Sequence, residues 1–198
     1  LIVKRLKGIK RAALGTVIPT MTGRGNYLLM DAGANHECRP EMLCQFGVLG
    51  SVYMEKVIGV KNPKVGVVNI GAEETKGLPL QIDAGALLKK APVNFIGNVE
   101  ARGLPLGEVD VAVADGFTGN VILKLSEGLG KSFSGAIKDL FKQSLLTKIG
   151  YLCVRGGLDG FRKKMDYTEH GGAPLLGLTK PVIKAHGSSN GYAFKNAI

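Results

Sequence analysis

The sequence predicts an α/β fold, a mostly parallel sheet with helices on both faces, and two observations carry that expectation. Short apolar strands alternate with helix-periodic segments along most of the chain, the pattern of βα units. Residues 109–114 form a near-continuous apolar run, as expected of a strand buried on both faces. The run stops at a polar turn holding Asp115, Gly116, Thr118, Gly119 and Asn120, and helix-periodic Val121, Ile122 and Leu125 follow at once. Strand, glycine turn and helix in that order leave backbone N–H groups at a helix N-terminus, where an anion can be held. The alternative is a βα turn in which Asp115 or Thr118 simply caps the helix.

The other elements follow in order. The opening LIVKRLKGIKR, basic and apolar by turns, reads as the end of a helix. Residues 14–18 read as a strand stopped by Pro19, 22–26 as a turn, and 27–30 as a strand ending in Asp31, Gly33 and Asn35. Pro40 suits the first turn of a helix along which Leu43, Phe46, Leu49 or Gly50, Tyr53 and Val57 recur at helical spacing, with Gly59 ending it. Gly47 and Gly50 weaken that helix unless it packs closely on a neighbour. A strand at 65–70, a polar loop at 71–77 and a helix at about 80–90 come next. A strand at 93–96 then ends in Gly97 and Asn98, with Glu100 and Arg102 beyond. After the central turn comes a long helical region, with Leu125, Leu129, Phe133, Ile137, Leu140 and Phe141 as one apolar stripe expected to pack on the sheet or a partner subunit. Gly156 and Gly157 are expected to reverse the chain. A last strand at 182–185 runs into His186, Gly187, Ser188, Ser189 and Asn190, and a final helix ends the sequence.

Composition narrows the classes. A chain of 198 residues, 45% hydrophobic and 21% charged, can bury a single sizeable core. It starts at Leu1, shows no signal peptide and no membrane-spanning run, and is read as part of a longer protein. Cys38, Cys44 and Cys153 form no CxxC pair, so neither a disulfide framework nor a zinc site is indicated and a reducing cytoplasm fits. A formal net charge of +10 favours an anionic partner. No tryptophan, few aromatics and no nucleic-acid-binding pattern argue against nucleic acid.

The polar residues gather after strands, at 31–35, 69–77, 97–103, 115–120 and 186–190. In open α/β sheets ligands bind at the carboxyl ends of strands, so these five loops are expected to line one cleft. Familiar hydrolase motifs are absent: there is no GxSxG elbow, Walker A lysine or HExxH. His36 and His170 read as isolated histidines, whereas His186 starts a strand-terminal turn. Nothing in the spacing of Asp31, Glu73, Glu74 and Asp115 requires a metal, and neither metal nor cofactor is expected.

Six stretches, DAGANHECRPEMLCQFGVLGSVYMEKVIG, KVGVVNIGAEETKG, VNFIGNVEARG, VDVAVADGFTGNVILK, YTEHGGAPLLGL and PVIKAHGSSNGYAFKNAI, closely resemble the bacterial phosphate acyltransferase (PlsX) family of phospholipid synthesis. The resemblance runs from about Arg11 to Ile198 in the family's order. It implies a three-layer fold similar to the phosphotransacetylase and isocitrate dehydrogenase group. It also implies conversion of long-chain acyl–acyl carrier protein and inorganic phosphate into acyl phosphate and free carrier protein. The family's N-terminal portion, with its DAMGGD-type motif, is not in this sequence, and Asn190 stands where the family more often has Asp. The chain is therefore expected to be the C-terminal portion of one α/β/α domain, residues 1–198, with a projecting helical region at about 123–168.

A thioester is already activated, and its thiol leaves readily with a pKa of about 8.5. Holding phosphate against the carbonyl and stabilising the oxyanion suit glycine-loop N–H groups, amides and a lysine. Lys76, Asn98, Asp115, Asn120 and His186 are the candidate catalytic residues. Gly33, Asn35, Asn69, Gly116, Thr118, Gly119, Gly187, Ser188 and Ser189 are the candidate substrate and phosphate contacts. Direct attack by phosphate is expected, with no acyl–cysteine intermediate. Two alternatives stand beside this reading: a phosphotransacetylase-like enzyme using acyl-coenzyme A, and a non-catalytic carrier-protein or membrane-binding fragment.

The expected partners are acyl carrier protein, inorganic phosphate, a second copy of the chain, an anionic membrane surface and the membrane acyltransferase that uses acyl phosphate. The expected location is the cytoplasm, at the inner face of the cell membrane. Arg5, Lys7, Lys10 and Arg11 form one candidate carrier-docking cluster, and Arg162, Lys163 and Lys164 another. Leu145, Leu146, Ile149, Tyr151, Leu152 and Val154 around Lys148 form a candidate interfacial anchor, with core or dimer packing as the alternative.

Overall fold

The computed structural model describes residues 3–23, 25–164, 172–185 and 191–197, with the side chains of 161–164 and 193 outside that description. The order is β1 (Ala13–Pro19), β2 (Asn26–Met30), α1 (Pro40–Tyr53), β3 (Lys64–Asn69), α2 (Pro79–Leu88), β4 (Asn94–Glu100) and β5 (Val111–Val113). Then come α3 (Gly116–Leu140), α4 (Leu145–Lys164), β6 (Ala173–Leu176), β7 (Ile183–Lys184) and α5 (Gly191–Ala197). The opening segment is not the expected helix end. It is irregular, and Arg5 forms an isolated bridge to Leu178.

The chain divides into two compact units, residues 1–121 with 167–198, and residues 122–166. In the first, one sheet runs in the order β4-β3-β5-β2-β1-β6-β7. The pairs β4–β3, β3–β5 and β5–β2 are parallel, whereas β1 is antiparallel to β2 and β6, and β7 to β6. β2, β3, β4, β5 and β6 thus share a direction, and the sheet is mostly parallel as expected. Leu28, Met30, Val65, Val67, Val111 and Val113 point to one face, where they join Leu43, Phe46 and Leu88 in the core. Burying each such side chain contributes about 1.5–3 kcal/mol.

The glycines of α1 explain its closeness to the sheet. A Cβ on Gly50 would come within 2.6 Å of Val111, and one on Gly47 within 2.7 Å of Leu88, so neither position has room for a side chain. The helix carries on as a wider π-turn, Met54–Ile58, and stops at left-handed Gly59, with φ +86°.

Two expected boundaries differ. β4 does not end at 96 but continues to Glu100, because Gly97, with φ +102°, takes up a bulge in the pairing with β3. Gly97 and Asn98 therefore lie within a strand and not in a loop beyond it. The helical region does not reverse at Gly156 and Gly157, which lie inside α4. The break falls at 141–144, where the Ser144 hydroxyl oxygen accepts from the Thr147 N–H at 3.1 Å and Thr147 Oγ1 accepts from the Ser144 N–H at 3.0 Å. That reciprocal cap starts α4.

In the second unit Leu125, Leu129, Phe133 and Leu140 of the predicted stripe are exposed on the single chain. Phe141 and Tyr151 meet edge to face, with ring centroids 5.5 Å apart. Among the described residues no helix is long and apolar enough to cross a membrane.

Candidate functional site

The carboxyl ends of β2, β5 and β3 lie side by side, so the segments that follow them are neighbours. The first of these, residues 31–35, is organised by one buried carboxylate. Asp31 Oδ1 accepts N–H bonds from Leu14 (3.0 Å), Gly33 (3.2 Å) and Ala34 (3.0 Å). Its Oδ2 accepts from the Asn35 backbone N–H and from Asn35 Nδ2, both at 2.7 Å. Asn35 Nδ2 also donates to the Ala12 carbonyl at 2.8 Å, tying the loop to the segment before β1. Asp31 and Asn35 therefore hold the loop in shape, and Asn35 offers no free donor on its amide nitrogen to a ligand.

The turn after β5 docks against this loop. The Gly116 N–H donates to the Asn35 carbonyl at 2.7 Å. Added Cβ atoms would strike that backbone from Gly116 and the Asp31 carbonyl from Gly119, so both positions must be glycine for the two segments to touch. Asp115 caps α3: its Oδ1 accepts the Thr118 N–H at 2.9 Å and its Oδ2 accepts the Thr118 hydroxyl at 2.7 Å, while its carbonyl accepts the Gly119 N–H at 2.9 Å. The expected row of free N–H groups is corrected here, because those of Gly116, Thr118 and Gly119 already have acceptors within the protein. The capping alternative holds for Asp115. Asn120 stays exposed and faces Gly33, whose added Cβ would lie 3.4 Å from that of Asn120.

In the loop after β3, Asn69 Nδ2 donates to the Lys76 carbonyl at 2.9 Å and Asn69 Oδ1 accepts the Ile70 N–H at 2.8 Å. Asn98 Nδ2 donates to the Glu73 carbonyl at 2.7 Å. Both amides thus fasten the 70–77 loop, while the Lys76 side chain is exposed. The structure brings Gly33, Asn35, Asp115, Gly116, Thr118, Gly119 and Asn120 into one assembly, and Asn69, Lys76 and Asn98 into another. His186, Gly187, Ser188 and Ser189 lie outside the described residues. The strand before them, β7, runs antiparallel to β6 and so opposite to β2, β3 and β5. The expectation that this turn follows a strand ending at the same edge is corrected on that ground.

Sequence reasoning missed a second feature of this edge. Lys10, Arg11, Glu37, Cys38, Arg39 and Met42 line a cavity of about 540 Å³ beside the 31–35 loop. The signal available was the RPEM start of α1 right after the loop, which puts Arg39 at its N-cap. Burial pushes the Cys38 thiol up to about 11; the Gly116 N–H opposes this, and the Asp31 and Asp115 carboxylates add to it. A neutral thiol is thus the form at neutral pH, a poor nucleophile. Among the described residues no cluster of histidine, cysteine and carboxylate side chains could hold a metal ion.

The model of the family described as "Fatty acid synthesis protein" matches residues 1–198. A protein named phosphate acyltransferase from Alkaliphilus oremlandii is 56% identical over 198 residues, covering 100% of this chain. One of the same name from Thermoanaerobacterium thermosaccharolyticum is 50% identical over 196 residues, covering 99% of it. The chain spans 58% of the length of each of these relatives. Among solved structures, a phosphotransacetylase from Streptococcus pyogenes superposes with a TM-score of 0.66 at 17% identity, over 99% of this chain and 54% of that one. The EutD phosphotransacetylase from Staphylococcus aureus gives 0.60 at 18% identity, over 99% and 55%. Those two likenesses establish the α/β fold. With a family match along its whole length and half or more of its residues shared with these enzymes, the chain belongs to the fatty acid synthesis protein family, that of the phosphate acyltransferases (PlsX).

Proposed function

We propose that the complete protein transfers a long-chain acyl group from acyl carrier protein to inorganic phosphate, yielding acyl phosphate and free carrier protein for membrane phospholipid synthesis. The observation that carries this is the identity of 56% and 50% to proteins named phosphate acyltransferases, along essentially the whole chain. A phosphate oxygen attacks the thioester carbonyl, the C–O bond forms, and the C–S bond breaks to release the thiol of the carrier. The geometry suits positioning more than covalent catalysis. Two glycine-bearing segments are held by Asp31 and Asp115, the Asn120 and Lys76 side chains are exposed, and Cys38 is protonated. In this reading Lys76 and Asn120 meet the phosphate and the oxyanion, Asn69 and Asn98 keep the Lys76 loop in place, and Asp115 fixes the turn. His186, Gly187, Ser188 and Ser189 enter as phosphate contacts on the family motif alone.

The test is to supply the complete protein with acyl–acyl carrier protein and phosphate and to trap the product with hydroxylamine as its hydroxamate. Product that depends on both substrates is expected; its absence would sink the proposal. A second reading, acyl-coenzyme A as the donor, draws on the phosphotransacetylase fold of the structural neighbours. A higher kcat/KM with the coenzyme A thioester would favour it.

The same reading places the protein in the cytoplasm against the cell membrane, delivering acyl phosphate to a membrane acyltransferase. Leu145, Leu146 and Leu152 are 76%, 79% and 67% exposed on α4, which makes them available to a lipid surface. The exposed stripe of α3 suits a second copy of the chain, and Arg5, Lys7, Lys10 and Arg11 suit an acidic carrier protein. The other cationic group, Arg162, Lys163 and Lys164, has side chains outside the described ones.

A further inference from the structure

A second cavity lies at the opposite edge of the sheet, away from the loops that the reaction above uses. β3 and β4 are parallel and start side by side there, with Lys64 opposite Asn94, and both run away from it toward Asn69 and Glu100. Ser51 and Glu55, from the end of α1 and its π-turn, line a space of about 400 Å³ together with Asn62 and Pro63 before β3 and residues 91–94 between α2 and β4. That volume is within the range of small-molecule sites.

The polar groups of this wall are not spoken for. Ser51 is 8% exposed, yet among the described residues its hydroxyl makes no hydrogen bond. A buried hydroxyl without a partner is uncommon, and one that lines a cavity is available to a ligand. Asn94 Nδ2 donates to the Asn62 carbonyl at 3.1 Å, which fixes the amide and leaves its Oδ1 as an acceptor without a donor among the described residues. Charge says which ligand suits these groups. The lining holds one carboxylate, Glu55, and no cation. Lys56 reaches Glu55 Oε1 at 2.8 Å, but the two side chains are 70% and 46% exposed, and such a surface pair is readily exchanged. Both α1 and α2 end at this edge with no basic residue in the last turn, so the negative ends of two helix dipoles lie here. Lys89, at the C-cap of α2, is drawn off to Glu74 at 2.6 Å. Pro63, Pro92 and Val93 add an apolar wall. We propose that this cavity binds a primary ammonium group on a short aliphatic arm, the nitrogen donating to Ser51 Oγ, Asn94 Oδ1 and the Glu55 carboxylate. The site is separate from the carboxyl edge and does not rest on the proposed reaction.

Ligand-observed NMR titration of the complete protein with 1-butylamine, 1-butanol and butanoate at neutral pH tests it, without any turnover. The butylammonium ion is expected to bind at least about fivefold more tightly than the alcohol, and butanoate more weakly than either. Ser51→Ala should weaken the amine about fivefold by removing one acceptor, and Glu55→Gln about tenfold, whereas Lys56→Gln should tighten it by freeing the carboxylate. Glu55 and Lys56 are exposed, so those two variants should fold whatever Ser51→Ala does, which circular dichroism checks. Equal affinity for amine and alcohol, tighter binding of butanoate, no saturable binding of the amine up to about 10 mM, or parent-like affinity in the Glu55→Gln variant would each overturn the proposal. Nα-acetyl-lysine methylamide, used as a competitor, tells a free amine from a lysine side chain of another protein. Displacement at lower concentration than butylamine itself supports the site and names a lysine as its occupant, and displacement only at higher concentration supports the site and names a free amine.

Discussion

Replacing Asp31 by Asn tests whether one carboxylate holds the carboxyl edge together. The two side chains are nearly the same size, so the change is electronic. Asp31 accepts five hydrogen bonds, three on Oδ1 and two on Oδ2, all from groups that are themselves fixed in the loop or the sheet. An asparagine keeps one oxygen. Kept toward Leu14, Gly33 and Ala34, it turns an NH2 group against the Asn35 N–H and Asn35 Nδ2, leaving donors facing donors. Hydrogen bonds to a charged group contribute about 1.5–3 kcal/mol each, so losing two gives about 3–6 kcal/mol. That is a large part of the roughly 5–15 kcal/mol that holds an ordinary domain folded. Urea unfolding of the complete protein reads it as a lower midpoint at unchanged slope. The activity should fall as well, because Asn35 carries the contact to Gly116. A loss below about 0.5 kcal/mol, the size of an ordinary surface change, would refute the reasoning.

Three further outcomes are expected. Gly119→Ala drives a methyl group into the Asp31 carbonyl and should destabilise by about 1–3 kcal/mol or more, checked by thermal unfolding; parent-like stability would mean that the two segments do not touch as described. The Cys38 thiol, pushed up to about 11 from 9.0, binds its proton more tightly folded than unfolded. Its contribution to stability is therefore full below about pH 9 and is lost as pH rises toward 11, so Cys38→Ala should flatten the alkaline decline in stability, and an unchanged pH profile would contradict this. Changing Leu145, Leu146 and Leu152 to polar residues should leave stability within about 0.5 kcal/mol, as they are exposed, while reducing sedimentation with anionic liposomes; unaltered sedimentation removes α4 from the membrane model.

The elements with a strong local signal were legible. Pro40, the spacing from Leu43 to Val57 and the terminal Gly59 gave α1 almost to the residue, and the apolar run before Asp115 gave β5. What was not legible depended on partners distant in sequence. Gly97 looks like the end of a strand until β3 is placed beside it and the bulge lets pairing resume. Strand direction is likewise a property of the sheet, so a polar turn after β7 read the same as one after β5, although β7 runs the other way. In the site, spacing grouped Asp115 with Thr118 and Gly119 but could not say whether their N–H groups faced a ligand or the protein's own oxygens. The cavity was missed for the same reason. Lys10 and Arg11 meet Arg39 only once β1 pairs with β2.

The allocation of charge at the carboxyl edge then decides where an anion can go. The N-terminus of α3 is the obvious place by topology, yet a carboxylate already caps it and the three N–H groups of Gly116, Thr118 and Gly119 are bonded. A phosphate taking those N–H groups would displace their bonds and meet Asp115 as a like charge, so in the proposed reaction it is met by the exposed Asn120 and Lys76 side chains instead. The neighbouring α1 has no side-chain cap and a cation, Arg39, at its N-cap, with Lys10, Arg11 and Glu37 lining the cavity at its start and Glu41 in its first turn. The backbone at the start of α3 is thus committed to the protein's own carboxylate, whereas no side chain caps the start of α1. The buried Asp31 links the two, since the loop it folds contacts Gly116 on one side and leads through Glu37 to Arg39 on the other. The loop that Asp31 folds therefore touches the turn before α3 and leads into α1, so loss of that carboxylate should disturb both helix starts.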